Sequence, residues 1–154
     1  MLRKVFLVED ETVIREGLRD RIPWDQFGYR FVGEAADGEM ALPLIRKTKP
    51  DVLITDIKMP FMDGLSLSKI VSKEFPRRKI IIISGYDDFE YARQAIEVGV
   101  DQYLLKPVTR MKLKNVLLEL KDKIEQDQEQ EDYRTQFQNE IQEYEQFSRR
   151  RFME

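Results

Sequence analysis

Four short apolar runs punctuate the chain up to residue 105: Val5-Phe6-Leu7-Val8, Val52-Leu53-Ile54, Ile80-Ile81-Ile82-Ile83 and Tyr103-Leu104-Leu105. Each is continuous rather than alternating, and the gaps between them are far too long for hairpins. They read as strands buried on both faces of a parallel sheet. A fifth segment, Tyr29-Arg30-Phe31-Val32-Gly33, is more amphipathic and suits an edge strand.

Helical spacing fills the intervals. Ile14, Leu18 and Ile22 stack in the first; Met40, Leu44 and Ile45 form a stripe after Asp37-Gly38; Leu67, Ile70 and Val71 follow Asp63-Gly64. Tyr91, Ala95, Ile96 and Val98 make the fourth, with Asp87 or Asp88 as N-cap, and a Thr109 cap opens the fifth, which carries Leu113, Val116, Leu117, Leu120 and Ile124. Pro43 falls past the first turn of the second helix, where it removes a hydrogen bond and predicts a kink. A strand-helix alternation repeated five times predicts an α/β fold, a doubly wound five-stranded parallel sheet with right-handed crossovers.

Charge then places a boundary. Residues 1–120 carry a net charge of +1 and residues 121–154 a net of −4, and every Gly and Pro precedes Thr109. The reading is a compact domain over 1–120 and a helical tail over 121–154, with no internal repeat. Running from the fifth helix into the tail, Leu113, Leu117, Leu120 and Ile124 keep the spacing of a heptad seam, the stretch Glu125–Asp132 has no apolar residue, and Phe137, Ile141 and Tyr144 begin a second stripe. A solvated single helix and a dimeric coiled coil are both open, and Arg149-Arg150-Arg151 reads as a solvated charge run.

Composition narrows the chemistry. The 154 residues include no Cys and no His, which excludes disulfides, thiol nucleophiles, Cys- or His-ligated metals and Ser-His-Asp catalysis. A net charge of −3 argues against a nucleic-acid-binding chain. The start MLRKVFLVEDE turns acidic too soon for a signal peptide, and no uncharged run reaches the length of a membrane span. The expectation is a cytoplasmic protein, bound to no membrane.

Polar residues suited to one site cluster at the strand ends. Glu9, Asp10 and Glu11 follow the first run, Asp56 closes the second, Ser84 ends the third, and Lys106-Pro107 ends the fourth. Taken singly, each is an ordinary cap or turn signal. In a doubly wound sheet, however, ligands bind beyond the carboxyl ends of the strands. If the first strand neighbours the Asp56 strand, Glu9, Asp10 and Asp56 converge, and three carboxylates so close need a hard cation. All-oxygen ligation suits Mg²⁺, Lys106 adds a mobile positive charge, and Ser84 adds a hydroxyl donor.

The stretches VFLVEDE, PDVLITDIKMPFMDGL, IIIISGYDDFEYA and DQYLLKPV resemble the receiver domain of two-component response regulators over about residues 1–120. That resemblance implies the strand order 2-1-3-4-5 shared with flavodoxin-like folds, and Asp56 as the residue that accepts a phosphoryl group from a sensor histidine kinase. It implies Mg²⁺ held by Glu9, Asp10, Asp56 and the carbonyl of Lys58. It also implies catalytic support from Lys106 and Ser84, a Ser84–Tyr103 switch, and a cis Lys106-Pro107 bond. Glu9 stands where the family more often has Asp, and its longer arm suits contact with the metal through water. A domain of this kind catalyses only its own phosphorylation and dephosphorylation and is not otherwise an enzyme.

The segments GLRDRIPWDQFGYRFVGEAADGEMAL and SGYDDFEYARQAI resemble the subgroup whose output is an AraC-type DNA-binding domain, which is absent from this chain. The expected role is therefore transcriptional control through a domain beyond residue 154, with no nucleic acid bound by these residues. The expected partners are a sensor histidine kinase and a second copy, bound on phosphorylation through the fourth helix, last strand and fifth helix, with the tail extending the pairing. A stand-alone receiver acting through protein contacts is one alternative. A Mg²⁺-dependent aspartyl phosphatase is another, but Lys58 stands where such an enzyme needs a second acid.

Overall fold

The four apolar runs and the amphipathic fifth segment all form strands, and they align in parallel. In the computed structural model, which describes residues 1–85 and 89–153 with the side chains of 150–153 excepted, the strands are β1 (Arg3–Val8), β2 (Tyr29–Ala35), β3 (Val52–Asp56), β4 (Lys79–Ser84) and β5 (Gln102–Leu105). Their order is β2-β1-β3-β4-β5, the order implied by the resemblance. Every residue of β3 is buried, as are Ile80, Ile81, Ile82 and Ile83 of β4, because helices cover both faces of a parallel sheet. Chain direction across the sheet reverses between β1 and β3, so the carboxyl ends of these two strands form the switch-point crevice.

The helices are α1 (Thr12–Arg21), α2 (Gly38–Thr48), α3 (Gly64–Glu74), α4 (Phe89–Val98) and α5 (Arg110–Met153), with a short 3₁₀ turn at Trp24–Phe27 between α1 and β2. Thr109 caps α5 as expected, and Asp37 and Asp63 cap α2 and α3 in the same way. Met40 N–H donates to Asp37 Oδ1 at 2.8 Å, Ser66 N–H to Asp63 Oδ1 at 2.7 Å, and Lys112 N–H to Thr109 Oγ1 at 3.1 Å. Each such cap contributes about 1 kcal/mol. The expected cap of α4 at Asp87 or Asp88 lies outside the described residues.

Two predicted apolar faces are corrected. In α2 the buried side chains are Ala41, Leu42 and Ile45, while Met40 and Leu44 are exposed. In α4 only Ala95 is fully buried and Ile96 is 75% exposed. Both stripes were wide enough to be rotated, and the position of the sheet decides which edge is covered. The helix α2 continues through Pro43 to Thr48 as one element despite the lost donor.

Two close approaches tie loops and helices to the sheet. The buried Tyr29 hydroxyl donates to the Leu117 carbonyl at 2.5 Å, joining edge strand β2 to α5. Gly64 N–H donates to the Ile57 carbonyl at 2.8 Å. A Cβ at Gly64 would lie 1.9 Å from the Asp56 carbonyl oxygen, so only glycine lets α3 begin this close to the end of β3.

The chain divides into two compact units, Met1–Leu120 and Lys121–Glu154. The first contains the sheet and its core. The second is helical along its described length, and Tyr133, Phe137, Ile141, Tyr144 and Phe147 on it are all exposed.

Candidate functional site

β1 and β3 pair side by side, Val8 opposite Thr55, so the residues that follow them emerge together. Carboxylate oxygens of Glu9, Asp10 and Asp56 lie within 4.8 Å of one another. Glu9 and Asp56 are buried, and Asp10 is half-buried. From the end of β5, Lys106 Nζ reaches 2.8 Å from Glu9 Oε1 and 3.0 Å from Asp56 Oδ2. The second Asp56 oxygen, Oδ1, accepts the Ile57 N–H at 2.7 Å. Glu9 Oε2 is buried and has no hydrogen-bond partner, an orphan that an added cation or donor would satisfy.

The electrostatics follow from crowding. Burial first, then hydrogen bonding and repulsion from Asp56, push Glu9 up to about 8, with Lys106 pulling the other way. Burial and the Asp56 charge raise Asp10 as well. For Lys106, burial opposes the charge, but hydrogen bonds to Glu9 and Asp56 outweigh it and the pKa is raised. One ammonium thus serves two carboxylates in a pocket of three, leaving an excess of negative charge that a divalent cation would neutralise.

The remaining sequence candidates surround this cluster. Ser84 is fully buried at the end of β4, which pairs with β3 so that Asp56 opposes Ile83. Its carbonyl accepts the Lys106 N–H at 2.7 Å. Tyr103 on β5 lies opposite Ile82 and packs half-buried against the core. Lys58 is exposed just past Asp56, its ammonium 5.3 Å from the Tyr91 ring centroid on α4. The Lys106–Pro107 bond is cis.

Two contributors were not anticipated. Arg15 Nη1 donates to the Glu9 carbonyl at 2.7 Å, holding the turn that carries Glu9 and Asp10 against α1. Gly64, noted in the sequence only as a helix start, shapes the backbone behind Asp56. The signal for Arg15 is its place one helical turn into α1, directly after the acidic group; nothing local marks Gly64.

An apolar groove of about 920 Å³ adjoins the cluster, lined by Val13, Ile14, Leu18 and Ile22 on one side and Lys106, Pro107 and Val108 on the other. Among the described residues, no helix is long and apolar enough to cross a membrane.

Residues 5–118 match the family described as the response regulator receiver domain. The chain is 40% identical over 122 residues to the uncharacterized transcriptional regulatory protein YesN of Bacillus subtilis, covering 77% of this chain and 33% of that protein. It is 41% identical over 114 residues to the transcriptional regulatory protein HptR of Staphylococcus aureus, covering 74% and 44%. Among solved structures, the REC domain of AraT, a response regulator from Geobacillus stearothermophilus, superposes with a TM-score of 0.78 at 46% identity, covering 83% of this chain and 99% of that one. The chain therefore spans less than half the length of these curated relatives.

Proposed function

Because this chain belongs to the response regulator receiver family, we propose that it accepts a phosphoryl group on Asp56 from a phosphohistidine of a sensor kinase and converts the added charge into an altered surface. The observation that carries this reading is the position of Lys106 Nζ between Glu9 and Asp56, 3.0 Å from an Asp56 oxygen. An Asp56 oxygen attacks phosphorus in line, the bond from phosphorus to the imidazole nitrogen breaks, and its electron pair leaves with the imidazole. Lys106, already at the carboxylate, stabilises charge on the phosphoryl oxygens. The product is an acyl phosphate, which water hydrolyses at the same site.

The donor set fits a hard divalent ion: three carboxylates, no nitrogen or sulfur ligand, and an unpartnered buried oxygen on Glu9. Asp10, Asp56 and the Lys58 carbonyl would hold Mg²⁺, with Glu9 acting through water. When bound, it would neutralise the pocket and the incoming phosphoryl oxygens. Ser84, buried at the neighbouring strand end, and Tyr103, half-buried one strand further, are the switch pair: the Ser84 hydroxyl moves to the phosphoryl group and Tyr103 turns into the space released.

The readout face is α4, β5 and α5, where Phe89, Ile96, Leu105 and Met111 are exposed. We assign to it a phosphorylation-promoted homodimer, with the exposed Arg93–Glu90 and Arg93–Glu97 pairs on α4 setting register and supplying little affinity. Relatives named as transcriptional regulators support transcriptional control as the output; we assign that output to a DNA-binding domain outside these residues, acting in the cytoplasm. Incubation with acetyl phosphate and Mg²⁺, read by intact mass, tests the core of this reading. A slowly lost gain of one phosphoryl unit is expected, and its persistence at full yield in Asp56→Asn would overturn it.

A further inference from the structure

On the tail unit, Tyr133, Phe137, Ile141 and Tyr144 are exposed on one stripe of the helix, and Gln130 and Ser148 continue it at either end. The rings of Tyr133 and Phe137 stack on one another with centroids 6.5 Å apart, so they present one continuous apolar surface. A helix with such a stripe and polar residues elsewhere buries it against a partner.

Charge says which partner, and which way round. Residues 125–132 carry five carboxylates and no Lys or Arg, whereas 149–151 are three arginines. The apolar stripe lies between these two blocks. A parallel pair of tails would set the acidic block against its own copy and the arginines against theirs. Reversing one helix sets acid against base at both ends.

The spacing of the stripe permits that reversal. Turned end for end about a point between residues 138 and 139, the stripe maps onto itself within one residue. Phe137 meets Ile141 of the second copy, Tyr133 meets Tyr144, and Gln130 meets Ser148. We propose that the tail is a self-association element that pairs with a second copy of this chain as an antiparallel helical dimer. The pairing is separate from the chemistry at Asp56 and stands or falls without it.

The absence of cysteine makes the test clean. Full-chain Gln130→Cys and Ser148→Cys proteins are mixed in equal amounts, equilibrated in a glutathione redox buffer, and mapped by peptide mass spectrometry. Antiparallel pairing predicts that the 130–148 disulfide outnumbers the 130–130 and 148–148 disulfides several-fold. It also predicts that the unmodified chain sediments as a dimer which dissociates more readily at high salt and on replacing Arg149, Arg150 and Arg151 by Glu. A majority of 130–130 and 148–148 disulfides would mean a parallel pair. A monomeric mass at the highest soluble concentration would mean that the stripe does not bind itself. Either result overturns the proposal.

Discussion

Lys106 Nζ lies 2.8 Å from Oε1 of Glu9, a residue 97 positions earlier in the chain. The contact brings the end of the last strand to the end of the first across β4 and β3, and Asp56 at the end of β3 shares the same ammonium at 3.0 Å. The lysine therefore holds together the two buried carboxylates of the site, and removing it leaves them facing one another without their counter-charge. Loss of one partner of a buried pair typically costs about 3–5 kcal/mol in its surroundings.

Asp56→Asn is expected to abolish the Mg²⁺-dependent phosphoryl adduct, because the amide is no nucleophile. Lys106→Ala is expected to permit slower phosphorylation but to blunt the response, read as the change in sedimentation of the Met1–Leu120 unit, freed of the tail, on adding beryllofluoride. Equal, full phosphorylation of the Asn variant would remove Asp56 from its role.

Asp10→Ala is expected to weaken Mg²⁺ binding more than Glu9→Gln. Asp10 has the more open carboxylate of the pair, whereas Glu9 Oε1 is already engaged by Lys106. Loss of one direct carboxylate ligand matters most to a hard ion. Calorimetric titration measures both, and equal losses would show that Glu9 is also a direct ligand.

The metal-free domain should lose stability as pH rises from about 4.5 towards 8. Glu9 titrates near 8 in the folded protein against an ordinary 4.5, so the folded state binds a proton that the unfolded chain releases earlier. A raised pKa contributes stability that is complete at acid pH and is lost on passing through the folded value. Thermal melts in chelator between pH 5 and 8 measure this. Glu9→Gln should flatten the slope, and an unchanged slope would place the titration elsewhere.

Gly64→Ala should cost about 3 kcal/mol or more, because its Cβ would meet backbone, the Asp56 carbonyl oxygen, at 1.9 Å. Gly17→Ala in α1 is the matched control. Apart from its own turn of helix nothing lies within 4 Å of its Cβ, and a gain of up to about 1 kcal/mol is expected from helix propensity. Urea unfolding of both variants reads the difference. A neutral Gly64→Ala would show that α3 can retreat from β3.

Much of this molecule was legible along the chain. The strands declare themselves because a parallel strand is buried on both faces, so Val52-Leu53-Ile54 and Ile80–Ile83 must be apolar without interruption. The cap at Thr109 was legible because a cap is a bond across three residues; those at Asp37 and Asp63 are the same kind of local bond, found only in the structure. Glu9, Asp10, Asp56 and Lys106 were marked by a single regularity, a chemically matched polar residue after each apolar run. Tertiary structure alone decided the rest. It turned α2 so that Ala41 and Leu42 are covered while Met40 is not, and left Ile96 of α4 outside. It set Arg15 on the Glu9 carbonyl and required glycine at position 64. Periodicity fixes only that a helix has an apolar side, and composition only that a residue can donate or accept. Which edge of that side meets the sheet, and which donor meets which acceptor, depends on distances between elements far apart in the chain.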